Sequence, residues 1–259
     1  MSAPSSSPAP ARRFTFRGAT LVAEHLGAGE PTYVLVHGIG MGRSVFADLV
    51  AHLDGSGEVV AVDLPGYGEA PEPERVLTME RTADLVAAYL TSHVRHPAVI
   101  VGHSMGAQVA LEVAARHPET VAKLVLVGPT VDPSARTAPR QLFRLLRDIA
   151  VESPKVIALG AREYVRAGPR LRAKFRAMLV HRPEDVLAKV STPTLVLRGE
   201  DDVVAPRAWC ARVVAGLPRG RLAEVPHHGH ETMIRDAAPA AALIRSFAAE
   251  DGVGLPLPR

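Results

Sequence analysis

One stretch constrains this chain more than any other: residues 98–113, AVIVGHSMGAQVALEV. The β-branched run Val99-Ile100-Val101 stops at Gly102, and His103-Ser104-Met105-Gly106 follows. Ala107, Val109, Ala110, Leu111 and Val113 then fall into a helical pattern. A strand, a sharp turn and a helix around G-x-S-x-G predict a nucleophile elbow. A serine forced into so tight a turn needs neighbours almost without side chains, which Gly102 and Gly106 supply. The turn lifts Ser104 above the carboxyl edge of the sheet, where the first free amides of the helix favour negative charge. The plainer reading is a glycine-rich turn with Ser104 as a helix cap, and the residues downstream decide between the two.

At 259 residues the chain is long enough for one sizeable core. Strand and helix patterns alternate along it. A hairpin is expected at 14–25 about Gly18-Ala19, with strands at 32–36, 58–62, 123–127, 194–198 and 221–225. Helices are expected at 45–53, 78–94, 206–217 and 237–249, that at 78–94 with Leu85, Ala88 and Tyr89 on one face. Such alternation predicts an α/β fold, with right-handed crossovers and a mostly parallel, doubly wound sheet after an N-terminal antiparallel hairpin. Active residues then belong at the carboxyl ends of strands. Residues 132–190 break the rhythm: no strand pattern, but helical stretches at 141–150, 154–166 and 171–180. Between 131 and 190 stand thirteen Lys/Arg against six Asp/Glu, leaving the remainder net negative. The division expected is a tail at 1–13, a core of 14–131 and 191–250, a helical cap at 132–190, and a second tail at 251–259.

A serine hydroxyl is a poor nucleophile until a base takes its proton, and the base needs a third group to fix its tautomer. Both partners follow the elbow in the order serine, acid, histidine. The acid lies in Gly199-Glu200-Asp201-Asp202-Val203-Val204-Ala205-Pro206. Asp202, four residues before the proline that opens the next helix, is preferred to Asp201. The base lies in Pro226-His227-His228-Gly229-His230, where His230 precedes the last helix; His227 and His228 read as loop residues. Three histidines on one short loop lack the separate carboxylate or thiolate set of a zinc site, so neither metal nor cofactor is expected. Gly38, Ile39 and Gly40 form a loop whose backbone can approach a substrate carbonyl. The amides of Ile39 and Met105 are the expected oxyanion donors, and His37 is expected to brace that loop. Gly38, Gly40 and His103 are further candidates for substrate contact.

The set HGIG (37–40), DLPGYG (63–68), GHSMG (102–106), GEDDVVAP (199–206) and GH (229–230), in that order, resembles the lidded, single-domain serine esterase-like branch of the α/β-hydrolase superfamily. The resemblance implies a triad of Ser104, Asp202 and His230, with 132–190 as the cap. It implies carboxylic ester hydrolysis; lactone hydrolysis, C–C bond hydrolysis and perhydrolysis are alternatives on the same triad, and a non-catalytic receptor stands further back. Serine at 104 argues against the carboxylate-nucleophile epoxide hydrolases and dehalogenases, and HGIG departs from the oxyanion segment of type II thioesterases. A rate rising through roughly pH 6–7 would report His230 in its neutral form.

The cap departs from that branch in being poor in aromatics and rich in arginine. Arg140, Arg144 and Arg147 fall on one face, as a solvated surface would; Arg162 or Arg166, turned inward, could select an anionic substrate. The net charge of +3 makes no case for nucleic acid, and no apolar run approaches the ~20 residues of a membrane span. Cys210 is the only cysteine. It is expected to be an inert core thiol, and together with a non-signal-like N-terminus it points to the cytoplasm. The expected partner is a small ester or lactone; oligomeric state is not legible.

Overall fold

The computed structural model describes residues 11–137 and 170–250. Eight strands form one sheet: β1 (Arg12–Phe16), β2 (Ala19–Leu26), β3 (Thr32–Val36), β4 (Glu58–Asp63), β5 (Ala98–His103), β6 (Val121–Val127), β7 (Thr194–Gly199) and β8 (Gly220–Val225). Their order is β1-β2-β4-β3-β5-β6-β7-β8. The β1/β2 and β2/β4 pairs are antiparallel and every later pair is parallel. The hairpin turns through Arg17 and Gly18, both at positive φ. Arg12 and Arg13, expected in the tail, instead belong to β1 and pair with Ala23 and Val22. The ladder is made by backbone groups, so two exposed arginines on an edge strand do not oppose it.

The central strands read as continuous apolar runs because helices cover both faces. Helices α1 (Ala47–Leu53), α2 (Met79–His93), α3 (Met105–Arg116), α4 (Leu171–Val180), α5 (Arg207–Gly216) and α6 (Ala238–Ala249) are described. Val34, Val36, Ile100, Leu124 and Leu126 point to the face carrying α2, α3 and α5. Their alternates Tyr33, Leu35, Val99, Val101 and Val125 point to α1 and α6, against Leu49, Leu53, Ile244 and Phe247. In α2, Leu85 and Tyr89 are buried while Ala88 stays half-buried at the margin of that face.

Among the described residues of 131–190 there is no strand; α4 matches the expected helix, while 141–150 and 154–166 lie outside the described residues. No helix among the described residues is long and apolar enough to cross a membrane. Cys210, in α5, is fully enclosed, and burial pushes its thiol up to about 12. Ellman's reagent should therefore leave the native protein unlabelled and titrate one thiol once it is unfolded in guanidinium. Rapid labelling of the folded chain would contradict that burial.

The register matters most for function. Val36 pairs with Gly102, His103 with Val127, Val127 with Leu197 and Gly199 with Val225. The ends of β3, β5, β6, β7 and β8 thus share one rim, and the segments leaving them carry the residues singled out from sequence.

Candidate active site

Ser104 follows β5 directly, with φ 54° and ψ −114°. A non-glycine residue in that region is strained by about 1–3 kcal/mol, and the surroundings hold it there. Its N–H donates to the Val127 carbonyl at 2.9 Å, and its own carbonyl accepts from Ala107 N–H at 3.0 Å. The flanking glycines are steric necessities. A Cβ on Gly102 would lie 2.3 Å from Gly106 O, and one on Gly106 would lie 2.1 Å from Val36 O.

Asp202 and His230, from the segments after β7 and β8, meet each other. His230 Nδ1 lies 2.9 Å from Asp202 Oδ2, with both residues buried. Asp202 Oδ1 accepts from Val204 N–H at 2.8 Å and Ala205 N–H at 2.7 Å. Burial alone would raise the Asp202 carboxyl. The imidazole of His230 and the two amides outweigh it and hold the group below the ordinary carboxylate range. Asp201 points outward and is exposed. The three histidines of the last loop part company: His227 is exposed, and His228 Nδ1 lies 2.8 Å from Pro226 O.

The end of β6 is the meeting point. Val127 O holds the Ser104 amide, and the next residue, Gly128 (φ +51°), lies directly against His230 and Asp202. A Cβ there would stand 2.8 Å from His230 Nδ1 and 3.1 Å from Asp202 Oδ2. Only a glycine allows this approach, and an isolated glycine after a strand gave no such indication in sequence.

Gly38 brings the β3 loop against Ser104: a Cβ there would be 3.2 Å from Ser104 Cβ. Gly40 takes φ +73°. Neither Ile39 N–H nor Met105 N–H donates a hydrogen bond to another described residue. His37 braces this loop as expected: Nε2 accepts from Leu64 N–H at 3.1 Å, so Nδ1 carries the proton donated to Gly38 O at 2.8 Å. Burial keeps that ring neutral by lowering its proton affinity. His103, a candidate for substrate contact, is fully enclosed, with Nε2 3.0 Å from His230 O.

The DLPGYG segment turns out to be a brace as well. Asp63 Oδ1 accepts from Arg43 N–H at 2.6 Å and Oδ2 from Glu69 N–H at 2.9 Å; the Arg43 guanidinium closes on the same carboxylate. Tyr67 then lies edge-on to His37 at 5.0 Å and donates to Met105 Sδ at 3.6 Å.

Two buried cations were not foreseen. Arg198 donates to the carbonyls of Asp202 (2.9 Å), Glu200 (3.1 Å) and Ala205 (3.1 Å), and so fastens the loop of Asp202 to β7. Lys174, from α4, lies 4.4 Å from the centre of the Tyr67 ring and donates to Glu72 Oε2 at 2.8 Å and to Gly66 O. Nothing in sequence separates these two from the many exposed basic residues. Arg162 and Arg166, like Arg140, Arg144 and Arg147, lie outside the described residues. Elsewhere, Glu80, Glu112 and His181 place potential ligand atoms within 4.8 Å of one another. Within that group the buried Glu112–His181 contact of 2.8 Å ties the end of α4 to α3.

The family model described as "Alpha/beta hydrolase family" matches residues 33–245. A pimeloyl-[acyl-carrier protein] methyl ester esterase of Neisseria meningitidis serogroup A is 31% identical over 243 residues, covering 82% of this chain and 75% of that one. A 2-hydroxymuconate semialdehyde hydrolase of Pseudomonas sp. CF600 is 26% identical, covering 96% and 98%. Among solved structures, an esterase from Thermogutta terrifontis superposes with TM-score 0.79 at 23% identity, covering 92% of this chain and 98% of that one. With that match spanning β3 to α6, the chain belongs to the alpha/beta hydrolase family.

Proposed function

We propose that this hydrolase cleaves carboxylic esters of small to medium size through an acyl-enzyme on Ser104, with His230 as base and Asp202 as the acid that orients it. The observation that carries this is the 2.9 Å contact between His230 Nδ1 and Asp202 Oδ2, buried at the strand end beside a strained serine elbow. The order of the three residues fits it, and so do relatives named as esterases.

In this reading His230 Nε2 takes the Ser104 proton as Oγ attacks the ester carbonyl. The amides of Ile39 and Met105 receive the oxyanion, each such donor contributing about 3–4 kcal/mol to the transition state. The tetrahedral adduct collapses, the alkoxide leaves with the proton from His230, and Ser104 remains acylated. A water then gives its proton to His230 and its oxygen to the acyl carbon; the acid departs and Oγ regains its proton. Asp202, held anionic, stabilises the imidazolium formed in both halves. Gly38 and Gly40 shape the loop around the acyl group, and residues 132–190 form the cap over it. The cytoplasm is the proposed compartment.

Lactone or C–C cleavage on the same groups is the second reading, favoured by the semialdehyde hydrolase among the relatives. One panel separates them: p-nitrophenyl esters of graded length, acyl-homoserine lactones, an acyl thioester and a vinylogous diketone. Ester turnover at the highest kcat/KM is the expected result. Diketone turnover above it would replace C–O by C–C cleavage, and silence on every substrate would favour a receptor. A neutral and an anionic ester of equal length, compared at low and high salt, test Arg162 and Arg166 as anion selectors.

A further inference from the structure

The elbow holds a second buried imidazole that the acyl-transfer steps leave unused. His103 is fully enclosed, and its Nε2 lies 3.0 Å from the main-chain carbonyl oxygen of His230. A carbonyl only accepts, so Nε2 carries the proton and Nδ1 is a bare acceptor. That Nδ1 is buried with no hydrogen-bond partner among the described residues. It faces the oxyanion loop, where a Cβ on Gly38 would stand 3.2 Å away. The His103 and His230 ring centres are 5.0 Å apart and the planes are tilted by 43°. An apolar side chain would fill the same space without an unsatisfied acceptor, so packing alone does not call for histidine here.

We propose that His103 is a positioning residue, whose Nε2–H holds the main chain of His230 and thereby sets where the base stands over Ser104. The proposal rests on the triad reading of Ser104, Asp202 and His230. His230 sits in the connection between β8 and α6, which passes through positive φ at His227 and Asp236. Upstream the connection is pinned by Asp201 N–H donating to His228 O at 2.9 Å, and by Gly199 packed against the carbonyls of His228 and Gly229. Asp202 grips only the ring, at Nδ1. The His103 Nε2–H adds a hold on the main chain of the same residue, fixing the backbone that carries the ring.

Histidine suits the task because it donates without bringing a charge. The titratable groups around it are His230, Asp202 and His37. Burial, with His230 adding to it, lowers the His103 imidazole to about 3, so it stays neutral while its neighbour becomes an imidazolium. A lysine or arginine at 103 would oppose that protonation.

The test uses the full chain with His103→Leu and His103→Gln. The glutamine amide nitrogen can reach the place of Nε2 and keep the donor, whereas leucine fills the volume without one. His103→Leu is expected to lower kcat on a neutral short-chain ester by about 10²-fold, the scale of a small misplacement. KM should stay within about twofold, and the acid limb of the kcat/KM–pH profile should move. His103→Gln should recover most of the rate and the parental limb. Equal losses in both variants with an unmoved limb would make His103 merely structural and overturn the proposal. If His103→Leu does not fold, His103→Asn, whose amide stops short at the Nδ1 position, takes its place with the same expectation.

A second readout does not depend on turnover. The low-field proton resonance of the His230–Asp202 hydrogen bond should persist in the parent, in His103→Gln and in Ser104→Ala, and should shift or broaden in His103→Leu. An unchanged resonance in His103→Leu also overturns the proposal. Ser104→Ala that retained activity would instead overturn the triad, and this resonance would still report on His103.

Discussion

Ser104→Ala is expected to lower kcat by roughly 10⁴–10⁶-fold, by analogy with removal of a nucleophile from other triads, and to leave the fold intact. Alanine meets the same backbone cost at φ 54° as serine does, because both carry a Cβ there. The contacts that hold the elbow are main-chain ones, Ser104 N–H to Val127 O and Ala107 N–H to Ser104 O, and they survive the change. The measurements are kcat on a p-nitrophenyl ester and the thermal midpoint by circular dichroism. A variant within tenfold of the parent rate would remove Ser104 from the chemistry.

Asp202→Asn should lower kcat by about 10⁴-fold through the wrong tautomer, while Asp201→Asn stays within about twofold, as exposed substitutions do. The reason lies in the neighbours of each oxygen. Oδ1 is fixed as an acceptor by Val204 N–H and Ala205 N–H, so an asparagine must put its carbonyl there. Its NH₂ then lands where Oδ2 met His230 Nδ1. Two donors cannot share that place, so the ring proton moves to Nε2, which can no longer take one from Ser104. Loss of activity in Asp201→Asn but not in Asp202→Asn would reverse the assignment.

The same carboxylate carries a stability prediction. Its folded-state pKa is depressed, so the stability it contributes is fully present above the unfolded value near ~3.9 and is lost as pH falls through the folded one. Urea unfolding should therefore separate parent and Asp202→Asn more at pH 7 than at pH 3. An equal gap at both values would count against that linkage.

The elbow turn at Ser104 and the buried Asp202–His230 contact were legible because each lies in a local pattern at the end of a recognisable strand. Asp202 could be preferred to Asp201 from the distance to Pro206 alone, and the structure turns Asp202 inward and Asp201 outward. Arg198 and Gly128 were not legible, since their roles depend on which strand end lies beside which. Lys174 reads as one more cation on a basic segment, yet it is buried against the Tyr67 ring. Arg12 and Arg13 went astray because an edge strand is recruited by its partner's backbone, whatever its own side chains.

The long excursion after β6 leaves and rejoins the sheet at adjacent strands, β6 and β7, which pair in parallel from Leu124 with Thr194 to Val127 with Leu197. Its length is therefore not metered by the ladder. Among the described residues, α4 ties it to the rest of the molecule, through Lys174 on Gly66 and Glu72 and through the Glu112–His181 contact. If the proposed function holds, an exchange confined to the stretch before α4 is a route to new substrates, whereas one that removes α4 also takes away the hold of Lys174 on Gly66 and Glu72.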